Sequence, residues 1–135
     1  MVGELLRETT VQGADGFLSF LDGFVEGIAE QVSLNDDVVS NIVIGVSEAL
    51  NNAYVHGNSC NENLNISLSV YHTDGQLSFL VKDQGRGYDY ELIDSTISDG
   101  LLDVPGGRGL FIMKALADEV TNNDDGNEVC LIFNI

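Results

Sequence analysis

Glu48 and Asn52 stand four residues apart in a stretch of helical periodicity, so their side chains share one face of the helix, with Asn51 close beside them. A carboxylate in such a place can act as a general base, and the amide oxygen of an asparagine is a hard, neutral ligand for a phosphate-bound Mg2+. The same face carries Ser40, Asn41, Gly45 and Ser47, all poorer helix formers than alanine, so something other than helix stability favours them. A merely polar helix face accounts for Glu48 and Asn52 equally well when they are taken alone. His56 at the helix end fits a capping or structural role better than a catalytic one.

Two glycine-rich turns add further chemistry. In Asp83-Gln84-Gly85-Arg86-Gly87 a carboxylate is followed by glycines that let a ligand approach the backbone closely. Such a carboxylate can accept a hydrogen bond from an exocyclic amine like that of adenine. In Gly106-Gly107-Arg108-Gly109, directly before Leu110 and a helical run, backbone N–H groups and the helix dipole attract phosphate oxygens, and Arg108 can add a charge-assisted contact. Taken singly, the first is also a plain turn and the second also a glycine hinge. The chain contains no GxxxxGK[ST], which excludes a P-loop, and neither glycine cluster spells the GxGxxG of a dinucleotide fold.

The elements that must position these residues follow from periodicity. A strand is predicted from about Leu5 to Val11, and Phe17, Leu21, Phe24 and Ile28 mark an amphipathic helix over roughly 14–31. Leu34-Asn35-Asp36-Asp37 offers N-capping groups to a second, long helix striped by Val39, Ile42, Val46, Leu50 and Ala53 and ending near Gly57. The period then becomes two: Leu64, Ile66, Leu68 and Val70 alternate with polar residues, Asp74-Gly75 makes a hairpin turn, and Leu77, Phe79 and Val81 return to deliver Asp83. The stretch from Tyr88 to Pro105 is sparse and is expected to start with a helical turn. A third helix runs through Leu110, Phe111, Met113 and Leu116, and closing strands flank Asp124-Asp125-Gly126-Asn127. Helices and hairpins alternating in blocks predict a two-layer α/β (α+β) sandwich, with a mixed, mostly antiparallel sheet and helices on one face.

A chain of 135 residues fits one domain over 1–135, and its 44% hydrophobic content argues against disorder. The formal charge of −17 sets the surface against nucleic acid and anionic membranes as direct partners. The acidity itself is read as solubility, as adaptation to a salty cytoplasm, or as a docking face for a basic partner. Cys60 and Cys130 lack CxxC spacing and read as ordinary reduced thiols. The chain shows neither a signal-peptide pattern nor an apolar run of bilayer length, so the expected location is cytoplasmic.

In this order, Glu48-Ala-Leu-Asn-Asn52, Asp83-Gln-Gly-Arg-Gly87 and Gly107-Arg-Gly-Leu110 resemble the N, G1 and G2 boxes of the GHKL ATPases, whose ATP site is the Bergerat fold. The longer strings Val46-Ser-Glu-Ala-Leu-Asn-Asn-Ala53 and Gly107-Arg-Gly-Leu-Phe-Ile-Met113, with Asp118-Glu-Val120, resemble the anti-sigma-factor serine kinases of that superfamily. The resemblance implies Mg-ATP binding, a homodimer, phosphorylation of a serine on a STAS-type anti-anti-sigma protein, and sequestration of a sigma factor once that antagonist is phosphorylated. It also implies Glu48 as the base, Asn52 as the magnesium ligand, Asn51 beside the nucleotide, Asp83 as the adenine reader, and Gly85 and Gly87 flanking the base. Gly106, Gly107, Arg108, Gly109 and Leu110 would line the phosphates, under a mobile lid from about Ser95 to Pro105. Tyr88 stands where many relatives have phenylalanine, the first helix lacks the Lys or Arg that some relatives use to grip partners, and the acidity is extreme for the family. A non-catalytic nucleotide-binding partner switch is the alternative. A histidine-kinase catalytic domain fits less well, because His56 and His72 sit in the wrong contexts for a phosphoacceptor.

Overall fold

The computed structural model describes residues 3–12, 17–87, 89–101, 103–123 and 125–135. Tyr88, noted above, lies outside the described residues. Strand β1 spans Glu4–Gln12 and is followed by helices α1 (Phe17–Val32) and α2 (Asp36–Asn52). Next come strands β2 (Asn65–Thr73) and β3 (Gln76–Asp83), helices α3 (Tyr90–Ser98) and α4 (Gly107–Leu116), and strands β4 (Glu119–Asn122) and β5 (Glu128–Asn134).

The strands form a five-stranded sheet in the order β1-β2-β3-β5-β4. Each neighbouring pair is antiparallel, so the sheet expected to be mostly antiparallel is antiparallel throughout. Thr73 pairs with Gln76 across the Asp74-Gly75 turn, where Gly75 takes φ +77° at no steric cost. The two-residue period puts Ile66, Leu68 and Val70 of β2, Leu77, Phe79 and Val81 of β3, and Val129, Leu131 and Phe133 of β5 on one buried face. The rings of Phe79 and Phe133 meet edge to face at 5.8 Å. The helices bury Leu21, Val25 and Ile28 of α1 and Ile42, Val46, Ala49 and Leu50 of α2 in the same cluster as that face.

Local chemistry sets the helix ends. Asn35 caps α2, its side chain accepting from the Val38 N–H at 2.9 Å, while Asp36 and Asp37 complement the dipole in the first turn. The stretch after Tyr88, expected to start with a helical turn, contains the full helix α3, capped by Asp89 and burying Tyr90, Ile93 and Ile97 against the core. An ion pair between Lys114 of α4 and Asp94 joins the two helices. Four residues of the expected lid, Ser95 to Ser98, therefore belong to α3.

Both cysteines are free thiols, and burial with two nearby glutamates pushes Cys130 up to about 11. Among the described residues no helix is long and apolar enough to cross a membrane.

Candidate functional site

Asp83 continues the inward row of β3 after Leu77, Phe79 and Val81, and the alternation that buries those residues carries its carboxylate under the helix layer at 3% exposure. Burial raises its pKa above the ordinary carboxylate value, opposed by hydrogen bonds from the backbone N–H groups of Gly85 and of Asp83 itself. The Gly85 N–H donates to Oδ1 at 3.0 Å.

Helix α2 does not stop at Asn52 but widens into a π-helical turn, Ala53–Gly57, closed by the Asn58 N–H to the Ala53 carbonyl at 2.7 Å. The extra residue in this turn lays the Gly57 backbone across Asp83 and Gly85. A Cβ on Gly57 would stand 2.2 Å from Asp83 Oδ2, and one on Gly85 would stand 1.9 Å from the Gly57 carbonyl oxygen. Neither position admits a side chain, so the α2 end and the Asp83 turn are in backbone contact. Asn58, which sequence reasoning missed, locks that contact: it is 2% exposed, accepts from the Gln84 N–H at 2.9 Å and donates to the Asn65 carbonyl at 3.2 Å.

On its other side the end of α2 meets the start of α4. Asn52 is buried, its Nδ2 donates to the Gly106 carbonyl at 3.4 Å, and a Cβ on Gly109 would lie 3.1 Å from its Oδ1. Gly106 takes φ +84° as the residue before α4, with the His56 ring 3.4 Å from where its Cβ would be. Burial lowers the pKa of His56, which favours the neutral imidazole. The Gly107 N–H is bonded to the Val104 carbonyl at 2.8 Å and the Leu110 N–H to the Gly106 carbonyl at 3.0 Å. Arg108 and Gly109, in the first turn, have N–H groups that the helix start can offer an anion. Leu110 itself packs into the core.

These contacts enclose a cleft of about 340 Å³. Glu48, Asn51 and Asn52 line it from α2, His56 from the π-turn, Asp103 and Val104 from the connection before α4, and Gly106, Arg108 and Gly109 from the helix start. The structure thus brings Glu48, Asn51, Asn52 and the second glycine turn together, and joins them to Asp83 and Gly85 through Gly57. Gly45 is the exception on the polar face of α2: it is buried, and its missing side chain admits Leu131, Phe133 and Leu116. Packing, not a ligand, selects that glycine. A second, larger cleft of about 480 Å³ lies between Arg86, Gly87 and the β4–β5 turn around Gly126, and neither Glu48 nor Asn52 lines it. Gly87 belongs to that side, at φ +76°, where a Cβ would stand 2.5 Å from the Gly126 carbonyl carbon.

The donor set of the smaller cleft suits a divalent cation held on phosphates. With Nδ2 of Asn52 committed to Gly106, its amide oxygen is oriented by that bond, and the oxygens on offer from Glu48 and Asn52 are hard.

Residues 20–133 match the family profile described as Histidine kinase-like ATPase domain. The chain is 30% identical over 122 residues to the Serine-protein kinase RsbW of Staphylococcus aureus strains Newman and NCTC 8325, covering 84% of this chain and 76% of each relative. Among solved structures it is similar to the RsbU and RsbW domains of Rv1364c from Mycobacterium tuberculosis, with a TM-score of 0.62 and 16% identity over 96% of this chain. The chain spans 32% of that longer protein, and the likeness supports the fold.

Proposed function

The chain belongs to the histidine kinase-like ATPase domain family and is a protein serine kinase that uses ATP, and from that premise we propose that its 340 Å³ cleft transfers the γ-phosphoryl group to a serine of a STAS-type anti-anti-sigma protein. In the same proposal the unphosphorylated antagonist and a sigma factor compete for the chain, which acts as a cytoplasmic homodimer. The single observation that carries the reading is the meeting of three separate segments at one place. Asn52 touches Gly106 and Gly109 on one side, and the π-turn that follows it touches Asp83 and Gly85 on the other.

The chemistry follows from that arrangement. Glu48 accepts the proton of the acceptor serine as its oxygen bonds to the γ-phosphorus, while the bond to the β–γ bridging oxygen breaks and ADP leaves. Asn52 would hold a magnesium ion, which when bound would neutralise phosphate charge. The N–H groups of Arg108 and Gly109 and the Arg108 guanidinium face the charge that spreads over the transferring oxygens. At the other end Asp83 Oδ1 is fixed by Gly85, so the buried carboxylate is oriented before an adenine amine arrives.

The test is transfer of label from γ-labelled ATP to a purified STAS-type antagonist, with nucleotide affinity measured alongside. Glu48→Gln should lower transfer by about 10²–10⁴-fold, the usual contribution of a general base, and leave Mg-ATP affinity within a few-fold. Full transfer by Glu48→Gln removes Glu48 from the role of base. A wild-type chain that binds Mg-ATP yet labels no antagonist supports the non-catalytic alternative.

A further inference from the structure

The phosphate end of the cleft carries an unexpected charge balance for a site that takes a polyanion. Its lining side chains include the carboxyl groups of Glu48 and Asp103 against the guanidinium of Arg108. His56, desolvated in the wall, adds no fixed positive charge. The chain as a whole adds the field of a formal −17. Glu48 has a chemical reason to be there, and Asp103 has none in the transfer reaction.

The position of Asp103 is specific. It precedes Val104, whose carbonyl receives the Gly107 N–H at 2.8 Å, so the segment that carries it is tied to the start of α4. That tie places Asp103 at the Asn52 and Arg108 end of the site and away from Asp83. A free triphosphate entering here meets the carboxylates of both Glu48 and Asp103, whereas a triphosphate with a bound divalent cation arrives with two of its charges neutralised. The penalty therefore falls on the metal-free nucleotide.

We propose that Asp103 is a specificity-determining residue that makes the cleft reject metal-free ATP and accept the metal-bound form. The inference rests on the nucleotide reading of the cleft given above. Its magnitude is set by one exposed unit charge a few ångströms from the phosphates, worth about fivefold in affinity in a medium close to water.

The experiment measures the dissociation constant of ATP by calorimetry, once with EDTA and once with excess MgCl2, on the whole chain. The variants are Asp103→Asn and, as a control of equal charge change, Asp74→Asn at the β2–β3 turn. Asp103→Asn should tighten metal-free ATP by about fivefold and change Mg-ATP by less than about twofold, while Asp74→Asn changes neither. In about 1 M KCl, where the screening length is about 3 Å, the difference between Asp103→Asn and wild type should largely vanish. Equal effects of the two variants, or a difference that survives high salt, overturn the proposal. Weaker Mg-ATP binding by Asp103→Asn with metal-free ATP unchanged also overturns it, because Asp103 then acts as a ligand of the cation. A wild-type chain that binds neither form refutes the nucleotide reading itself, a failure distinct from those above.

Discussion

Replacing Gly85 by alanine tests the backbone contact on which the site depends. The new Cβ would stand 1.9 Å from the Gly57 carbonyl oxygen, 2.7 Å from its carbon and 2.9 Å from the Asn58 Cα. All three are backbone atoms, so no side-chain rotation relieves the clash. The Asp83 turn and the π-turn must separate by roughly 1.5 Å to restore ordinary van der Waals contact. Forcing a methyl group into packed structure costs about 1–3 kcal/mol, a fall in Tm on the order of 5–10 °C for a chain of this size. The same displacement draws Asp83 away from Asn52, so a bound nucleotide loses its hydrogen bond at one end or the other. A hydrogen bond to a charged group is worth about 1.5–3 kcal/mol, and Mg-ATP affinity should fall at least about tenfold. Calorimetric titration with Mg-ATP and thermal melts read both effects. Gly23→Ala in α1 is the control, because its Cβ meets nothing within 4 Å and alanine is the better helix former. A Gly85→Ala chain with wild-type Tm and affinity would refute the close approach of the two turns.

Two further substitutions probe the same region. Asp83 has a raised pKa in the folded state, so the folded chain holds the proton more tightly than the unfolded one, and stability falls as pH rises from the ordinary carboxylate value through the raised one. Asp83→Asn removes that loss: its Tm relative to wild type should climb from acidic to neutral pH, while ATP affinity drops because the NH2 that replaces one carboxylate oxygen faces either the Gly85 N–H or the adenine amine donor to donor. A Tm difference that is flat with pH contradicts the burial argument. Asn58→Ala leaves the Gln84 N–H and the Asn65 carbonyl without their partner, at about 1–3 kcal/mol each, and should weaken nucleotide binding along with stability; unchanged denaturant midpoints would show that Asn58 locks nothing.

Much of this was legible in the sequence wherever one local rule decided the outcome. The alternation through Leu77, Phe79 and Val81 requires Asp83 to face inward, and the stripe from Ile42 to Leu50 requires α2 to lie on the sheet. The second glycine turn stands at a helix start because Gly106 supplies the positive φ there. What sequence reasoning missed depends on the fold. Helix α3 has a signal in Asp89, Tyr90, Ile93 and Ile97, yet its apolar positions make sense only with a core beneath them. The π-turn has no local signature, so helical spacing extrapolated beyond Asn52 cannot place His56, Gly57 or Asn58. Gly45 and Gly57 are glycines because Leu131 and Asp83, distant in the chain, occupy the space that a side chain would take.

The central claim is that one nucleotide spans the end of α2, the Asp83 turn and the start of α4. An amide NMR titration of the whole chain with Mg-ATP tests it most directly. The N–H signals of Asn52, Gly85, Arg108 and Gly109 should move together with one dissociation constant. Shifts confined to the larger cleft, at Asn122, Asn123 and Gly126, would contradict it.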